Sequence, residues 1–124
     1  MVNRRGFMKS AAAAGGLMLL PSWSAGKQVG PNSKLNIALV GVGGIGGMAI
    51  GQLLPCKQAN IVALCDVDDA RAAKNYKAFP ASMPRFRDYR VMLDKMDKQI
   101  DAVVVSTPDH MHYPIAAWAI AKGK

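Results

Sequence analysis

Two cysteines and two histidines in 124 residues already exclude several kinds of protein. So few cysteines cannot form the disulfide framework that staples a small secreted scaffold. Cys56 falls just after the first expected helix and Cys65 near the end of the second expected strand. On a βαβ unit those points lie at opposite ends of the sheet, roughly 15 Å apart at ~3.3 Å per strand residue and beyond disulfide reach. Both thiols are expected to be free, with Cys65 a small buried hydrophobe. His110 and His112, with Asp109 beside them, are too few for a zinc centre, which takes three or four protein ligands; no metal site is expected. A G-x-S-x-G nucleophile elbow is missing, which removes the common serine hydrolase arrangement. Aromatic residues make up 6% of the chain and do not interleave with basic ones, so no nucleic-acid partner is expected. The one long apolar stretch, near the N-terminus, is shorter than the ~20 residues a spanning helix needs, and stable membrane insertion is not expected.

What remains is a chain sized for one small domain, with hydrophobic content of 51% that calls for a packed core. Its formal charge of +8 is uneven, because residues 1–34 hold five basic residues and no acid. Downstream, Arg71, Lys74, Lys77, Arg85, Arg87, Arg90, Lys95 and Lys98 alternate with aspartates and read as solvated helix faces. The opening M-V-N-R-R-G-F-M-K-S-A-A-A-A-G-G-L-M-L-L-P-S-W-S-A has a charged start, an uncharged run and small residues at its end, the grammar of a signal peptide. Arg4 and Arg5 with Phe7 and Lys9 resemble the twin-arginine export pattern R-R-x-F-x-K. Residues 1–25 are therefore read as an export signal addressed to the twin-arginine machinery, 26–33 as a linker and 34–124 as the domain. That route carries proteins already folded, which suits one that acquires a tightly held cofactor in the cytoplasm and works in the periplasm or otherwise outside.

In the body, Leu35–Val40, Asn60–Cys65 and Asp101–Ser106 are continuous apolar runs, suited to strands buried on both faces of a parallel sheet. Helical patterns separate them: Gly44–Leu54 stopped by Pro55, Asp69–Phe79 stopped by Pro80, and Tyr89 to about Lys98 capped by Asp88 with Val91, Met92 and Met96 on one side. Arg85–Arg87 is a candidate edge strand, and a last helix is expected after Tyr113 with Pro114 in its first turn. Strands alternating with helices give an α/β, Rossmann-type doubly wound parallel sheet, incomplete at the C-terminus.

After the first strand, V-G-V-G-G-I-G-G places Gly41, Gly43 and Gly46 on the G-x-G-x-x-G spacing. Following a strand and opening a helix, Gly41 makes the tight turn, Gly43 admits a pyrophosphate to the backbone, and Gly46 allows helix to pack on strand. With Gly44 and Ile45 these residues form the candidate phosphate cradle, at a helix N-terminus. Twenty residues beyond Gly46, Asp66 ends the second strand, where a carboxylate accepts ribose hydroxyls and repels a 2′-phosphate. NAD is therefore expected over NADP. Asp68 and Asp69 read as helix-capping groups.

The stretch S-T-P-D-H-M-H-Y leaves the third long strand at the edge where ligands bind in such sheets. Together, the glycine loop, L-C-D-V-D-D-A-R, F-R-D-Y-R-V-M-L-D and D-A-V-V-V-S-T-P-D-H-M-H-Y-P-I-A-A-W-A-I-A-K-G-K resemble the N-terminal domain of the Gfo/Idh/MocA oxidoreductases over residues 34–124. The resemblance implies that Ser106, Thr107 and Pro108 lie against the dinucleotide. It also implies that His112, in the pattern T-P-x-x-x-H, comes near the nicotinamide or the substrate as the candidate catalytic group. His110 is left between a capping or solvent-facing role and a functional one.

The family continues past A-x-x-x-G-K into a further strand, an E-K-P segment whose lysine assists proton transfer, and a sheet domain that holds the sugar. None of these is in the 124 residues, so the chain is expected to be a truncated part of a longer protein and to be inactive alone. The resemblance implies hydride exchange between NAD(H) and a sugar or polyol. The alternatives are an NAD-dependent glycosidase of the same family, or a non-catalytic nucleotide-binding fragment.

Overall fold

The computed structural model describes residues 33–124; the expected export signal, 1–25, and nearly all of the expected linker, 26–33, lie outside the described residues. Four parallel strands, β1 (Leu35–Val40), β2 (Ala59–Cys65), β3 (Arg85–Phe86) and β4 (Ala102–Val105), form one sheet in the order β3-β2-β1-β4. Between and after them run α1 (Gly46–Leu53), α2 (Asp69–Tyr76), α3 (Tyr89–Lys95), a 3₁₀ turn (Asp97–Gln99) and α4 (Asp109–Ala121). The apolar runs are strands because alternate residues enter two cores. Ala38, Val40, Ala63 and Cys65 join Met92, Leu93 and Ile115 on one face, while Ile37, Leu39 and Leu64 join Ile50, Ala72 and Tyr76 on the other. Burial on both faces removes the polar-out positions that a one-sided sheet shows. The fold is α/β and Rossmann-like. The chain order reverses between β1 and β4, and ligand clefts open at the carboxyl ends of strands flanking such a reversal.

Several expectations need correction. Helix α1 begins at Gly46, not Gly44, because Gly44 is still in the turn with φ of 59°. Helix α2 ends at Tyr76; the chain then tightens, with Ala78 donating to Asn75 O and Phe79 to Tyr76 O, the i→i−3 pattern of a frayed end. In α3 the buried side chains are Met92 and Leu93, joined by Met96 just beyond the helix, whereas Val91 is exposed. Helix α4 starts at Asp109, directly after Pro108 (φ −58°, ψ 152°), and Pro114 lies inside it. A carboxylate in the first turn complements the helix dipole, and that start outweighs the bond lost at Pro114, which has no N–H to donate. The Arg85–Phe86 edge strand and the Asp88 cap form as expected, with Arg90 N donating to Asp88 Oδ1. Cys56 is exposed and free, Cys65 buried and free.

Candidate functional site

The β1–α1 corner is built from glycines for steric reasons. Gly41 has φ of 86° and donates its N–H to Cys65 O. A Cβ there would lie 2.6 Å from Ser106 C and O and 2.8 Å from Thr107 N, so the turn and the β4–α4 connection touch backbone to backbone. A Cβ on Gly46 would collide with the carbonyl oxygen of Gly41. Gly46, Gly47 and Met48 direct their N–H groups back to the carbonyls of Gly43, Gly44 and Ile45. The N–H groups of Gly44 and Ile45 themselves have no partner among the described residues, and they stand at the start of α1, where backbone donors and the helix dipole favour an anion.

Asp66 faces this corner from the end of β2. Its Oδ2 accepts from Gly43 N at 2.7 Å and its Oδ1 from Asp68 N at 2.9 Å. Each carboxylate oxygen has a further lone pair, so the group is oriented while retaining capacity for ligand hydroxyls. Asp68 caps α2 by accepting from Arg71 N, and Asp69 lies near Arg87 at 3.8 Å. Asp68 thus acts as the capping group the sequence suggests.

Glycine turn, Asp66 and the 106–111 segment enclose a cleft of about 510 Å³. Gly41, Gly43, Ile45, Asp66, Ser106, Thr107 and Pro108 line it, so most of the expected contacts converge. Gly44 and Gly46 shape the turn without lining the cleft. The histidines separate: His110 and Asp109 are on the cleft wall, while His112 turns its Nε2 to the Thr107 carbonyl at 2.6 Å and does not line it. The Thr107 hydroxyl is buried with no hydrogen-bond partner, a costly state for a polar group that a polar ligand group would relieve. The cleft floor includes Cys65, whose thiol is pushed up to about 12 by burial first and then by Asp66 and Asp88. It stays protonated at neutral pH and is no nucleophile. Among the described residues no group of three or more His, Cys, Asp or Glu could hold a metal ion, and no helix is long and apolar enough to cross a membrane.

Three contributors carried no signal in the sequence. Arg71 lines the cleft and runs along the glycine turn, with its Nη2 3.5 Å from where a Gly44 Cβ would stand. Asn75 donates from Nδ2 to Val42 O at 2.6 Å, bracing that turn from α2. Tyr89 lines the cleft from the first turn of α3. A polar side chain reaching across to a loop leaves no periodic trace. The close glycine contacts, the free turn donors, the oriented carboxylate and the orphaned threonine hydroxyl together fit a dinucleotide.

Comparison with known proteins agrees with that geometry. Residues 35–124 match the family model described as an oxidoreductase family with an NAD-binding Rossmann fold. A Glycosyl hydrolase family 109 protein of Stenotrophomonas maltophilia is 30% identical over 135 residues, covering 98% of this chain and 28% of that protein. Among solved structures, a dehydrogenase from Chromobacterium violaceum superposes with a TM-score of 0.65 at 30% identity, covering 73% of this chain and 26% of that one. A scyllo-inositol dehydrogenase from Lactobacillus casei, with bound NAD(H) and scyllo-inositol, gives a TM-score of 0.65 at 25% identity, covering 74% of this chain and 26% of that one. The chain thus spans little more than a quarter of the length of these relatives. Because the match runs from the first strand to the last residue and takes in every turn of the cleft, the chain belongs to the Gfo/Idh/MocA oxidoreductase family and supplies its NAD-binding Rossmann domain.

Proposed function

We propose that the cleft binds NAD(H) and that the protein built on this domain exchanges hydride with a carbon of a sugar or polyol. The observation that carries the reading is the corner itself, where the unpaired N–H groups of Gly44 and Ile45 lie beside an Asp66 carboxylate already oriented by Gly43. The turn donors would hold the pyrophosphate and Asp66 the adenosine ribose; its charge disfavours a 2′-phosphate, so NAD is preferred over NADP. Bound there, the dinucleotide supplies a hydride acceptor or donor. The chain's own residues orient it: Thr107 and Pro108 from the β4–α4 turn, Arg71 along the glycine turn. Substrate class is supported by the Lactobacillus neighbour with scyllo-inositol bound. Titration of NAD and NADP into the 124-residue chain, together with an assay for NADH formation, across a panel of sugars and polyols, by this domain joined to the remainder of a relative, tests the reading. Absence of NAD binding would overturn it.

A second reading, an NAD-dependent glycosidase, is favoured by the name of the Stenotrophomonas relative. Net redox separates the two: a glycosidase releases free sugar without consuming added NAD, whereas a dehydrogenase accumulates NADH. Export by the twin-arginine route belongs to the same proposal, supported by the R-R-G-F-M-K sequence and the uncharged run that follows it. A folded domain with its cofactor in place is the cargo such a route accepts.

A further inference from the structure

His112 is the group a sequence reading places at the chemistry, yet its Nε2 lies 2.6 Å from the backbone carbonyl of Thr107. A carbonyl oxygen only accepts, so Nε2 carries the proton and, in the neutral ring, Nδ1 is left as the acceptor. The contact grips the β4–α4 turn from the helix side. From the other side Gly41 grips it, its Cα so close to Ser106 and Thr107 that no Cβ fits between them. Between these two contacts sits Thr107, which lines the cleft and whose buried hydroxyl has no partner. We propose that His112 is a positioning residue, whose Nε2–H fixes the Thr107 carbonyl and thereby holds the Thr107 hydroxyl for the ligand. The inference rests on the dinucleotide reading above.

Substitution by glutamine separates this role from proton transfer. The glutamine amide nitrogen is as many bonds from the backbone as histidine Nε2, and it donates a hydrogen bond without titrating. In calorimetric titrations of the 124-residue chain, His112→Ala is expected to weaken NAD binding about three- to tenfold, the worth of one hydrogen bond, while His112→Gln restores wild-type affinity. Thr107→Val should weaken binding by a similar factor. The two losses should not add in the double variant, because one residue acts through the other. Nitrogen-15 spectra of the wild-type imidazole should give Nε2 as the protonated nitrogen. Glutamine as weak as alanine, additive losses, or a proton on Nδ1 would each overturn the positioning role while leaving NAD binding intact. A wild-type chain that binds no NAD would overturn the dinucleotide reading and this role with it. If His112→Ala does not fold, the glutamine variant, Thr107→Val and the wild-type spectrum still decide.

Discussion

Gly43 donates its backbone N–H to Oδ2 of Asp66 at 2.7 Å, joining the glycine turn to the carboxylate that follows β2, and both residues line the cleft. On the proposed reading, in which the turn holds the pyrophosphate and Asp66 the ribose, this one hydrogen bond sets the two halves of the site relative to each other. Asp66→Ser removes that acceptor, the charge and the hydroxyl contacts together. Hydrogen bonds to charged groups are worth ~1.5–3 kcal/mol, so NAD affinity should fall roughly tenfold to a hundredfold by titration, with preference moving toward NADP. Unchanged NAD affinity would show that Asp66 does not hold the ribose.

Two glycines of α1 should respond in opposite directions. A Cβ on Gly46 meets the Gly41 carbonyl oxygen, a backbone atom that cannot swing aside, whereas a Cβ on Gly51 meets nothing within 4 Å. Gly46→Ala should destabilise the domain by more than ~2 kcal/mol, in the upper range for single substitutions. Gly51→Ala, inside the helix and exposed, should stabilise it by roughly 0.5–1 kcal/mol through lower chain entropy. Urea denaturation of the pair measures both. Equal effects would mean that the corner is not packed as tightly as the structure has it.

The contrast between those glycines also marks what the sequence can carry. The fold was legible because Leu35–Val40 and Ala59–Cys65 bury both faces and so write unbroken apolar runs. The glycine turn was legible because close backbone approach at Gly41 and Gly46 admits only glycine, and a fixed spacing records it. The start of α4 was not, since Pro114 reads as a first-turn residue although Asp109 opens the helix. Nor was the divergence of His110 and His112, two residues apart yet turned to different partners. Arg71 read as part of a solvated face; it is exposed, but it lies along the glycine turn, a tertiary relation that charge patterning does not encode.

Export should depend on Arg4 and Arg5. Changing both to lysine preserves the charge of residues 1–25 but removes the guanidinium pair that, on the proposed reading, a twin-arginine receptor reads as an address. The expected outcome is precursor retained in the cytoplasm, followed by fractionation and immunoblotting. Normal periplasmic accumulation of the Lys–Lys variant would point to ordinary secretion.

The same burial that makes Cys65 inert should appear as an alkaline loss of stability. Its thiol rises from 9.0 to about 12 in the folded chain, through burial first and then the charges of Asp66 and Asp88. An acid whose folded pKa is raised favours the folded state fully below the unfolded pKa. Between the two values the unfolded chain releases a proton that the folded chain keeps, so stability falls as pH climbs from about 9 toward 12. At about pH 10.5 the loss from this group is at most ~2 kcal/mol, taking 1.36 kcal/mol per pKa unit. Cys65→Ala shifts absolute stability through its own packing change, so the slope against pH is the quantity to compare. Urea midpoints of wild type and variant between pH 8 and 10.5 should diverge in slope, with a residual decline in both from Tyr76, whose hydroxyl burial also pushes up to about 12. Identical slopes would mean that Cys65 ionises as readily in the folded chain as in the unfolded one, and that the floor of the cleft is wetter than its packing against β1 and α3 implies.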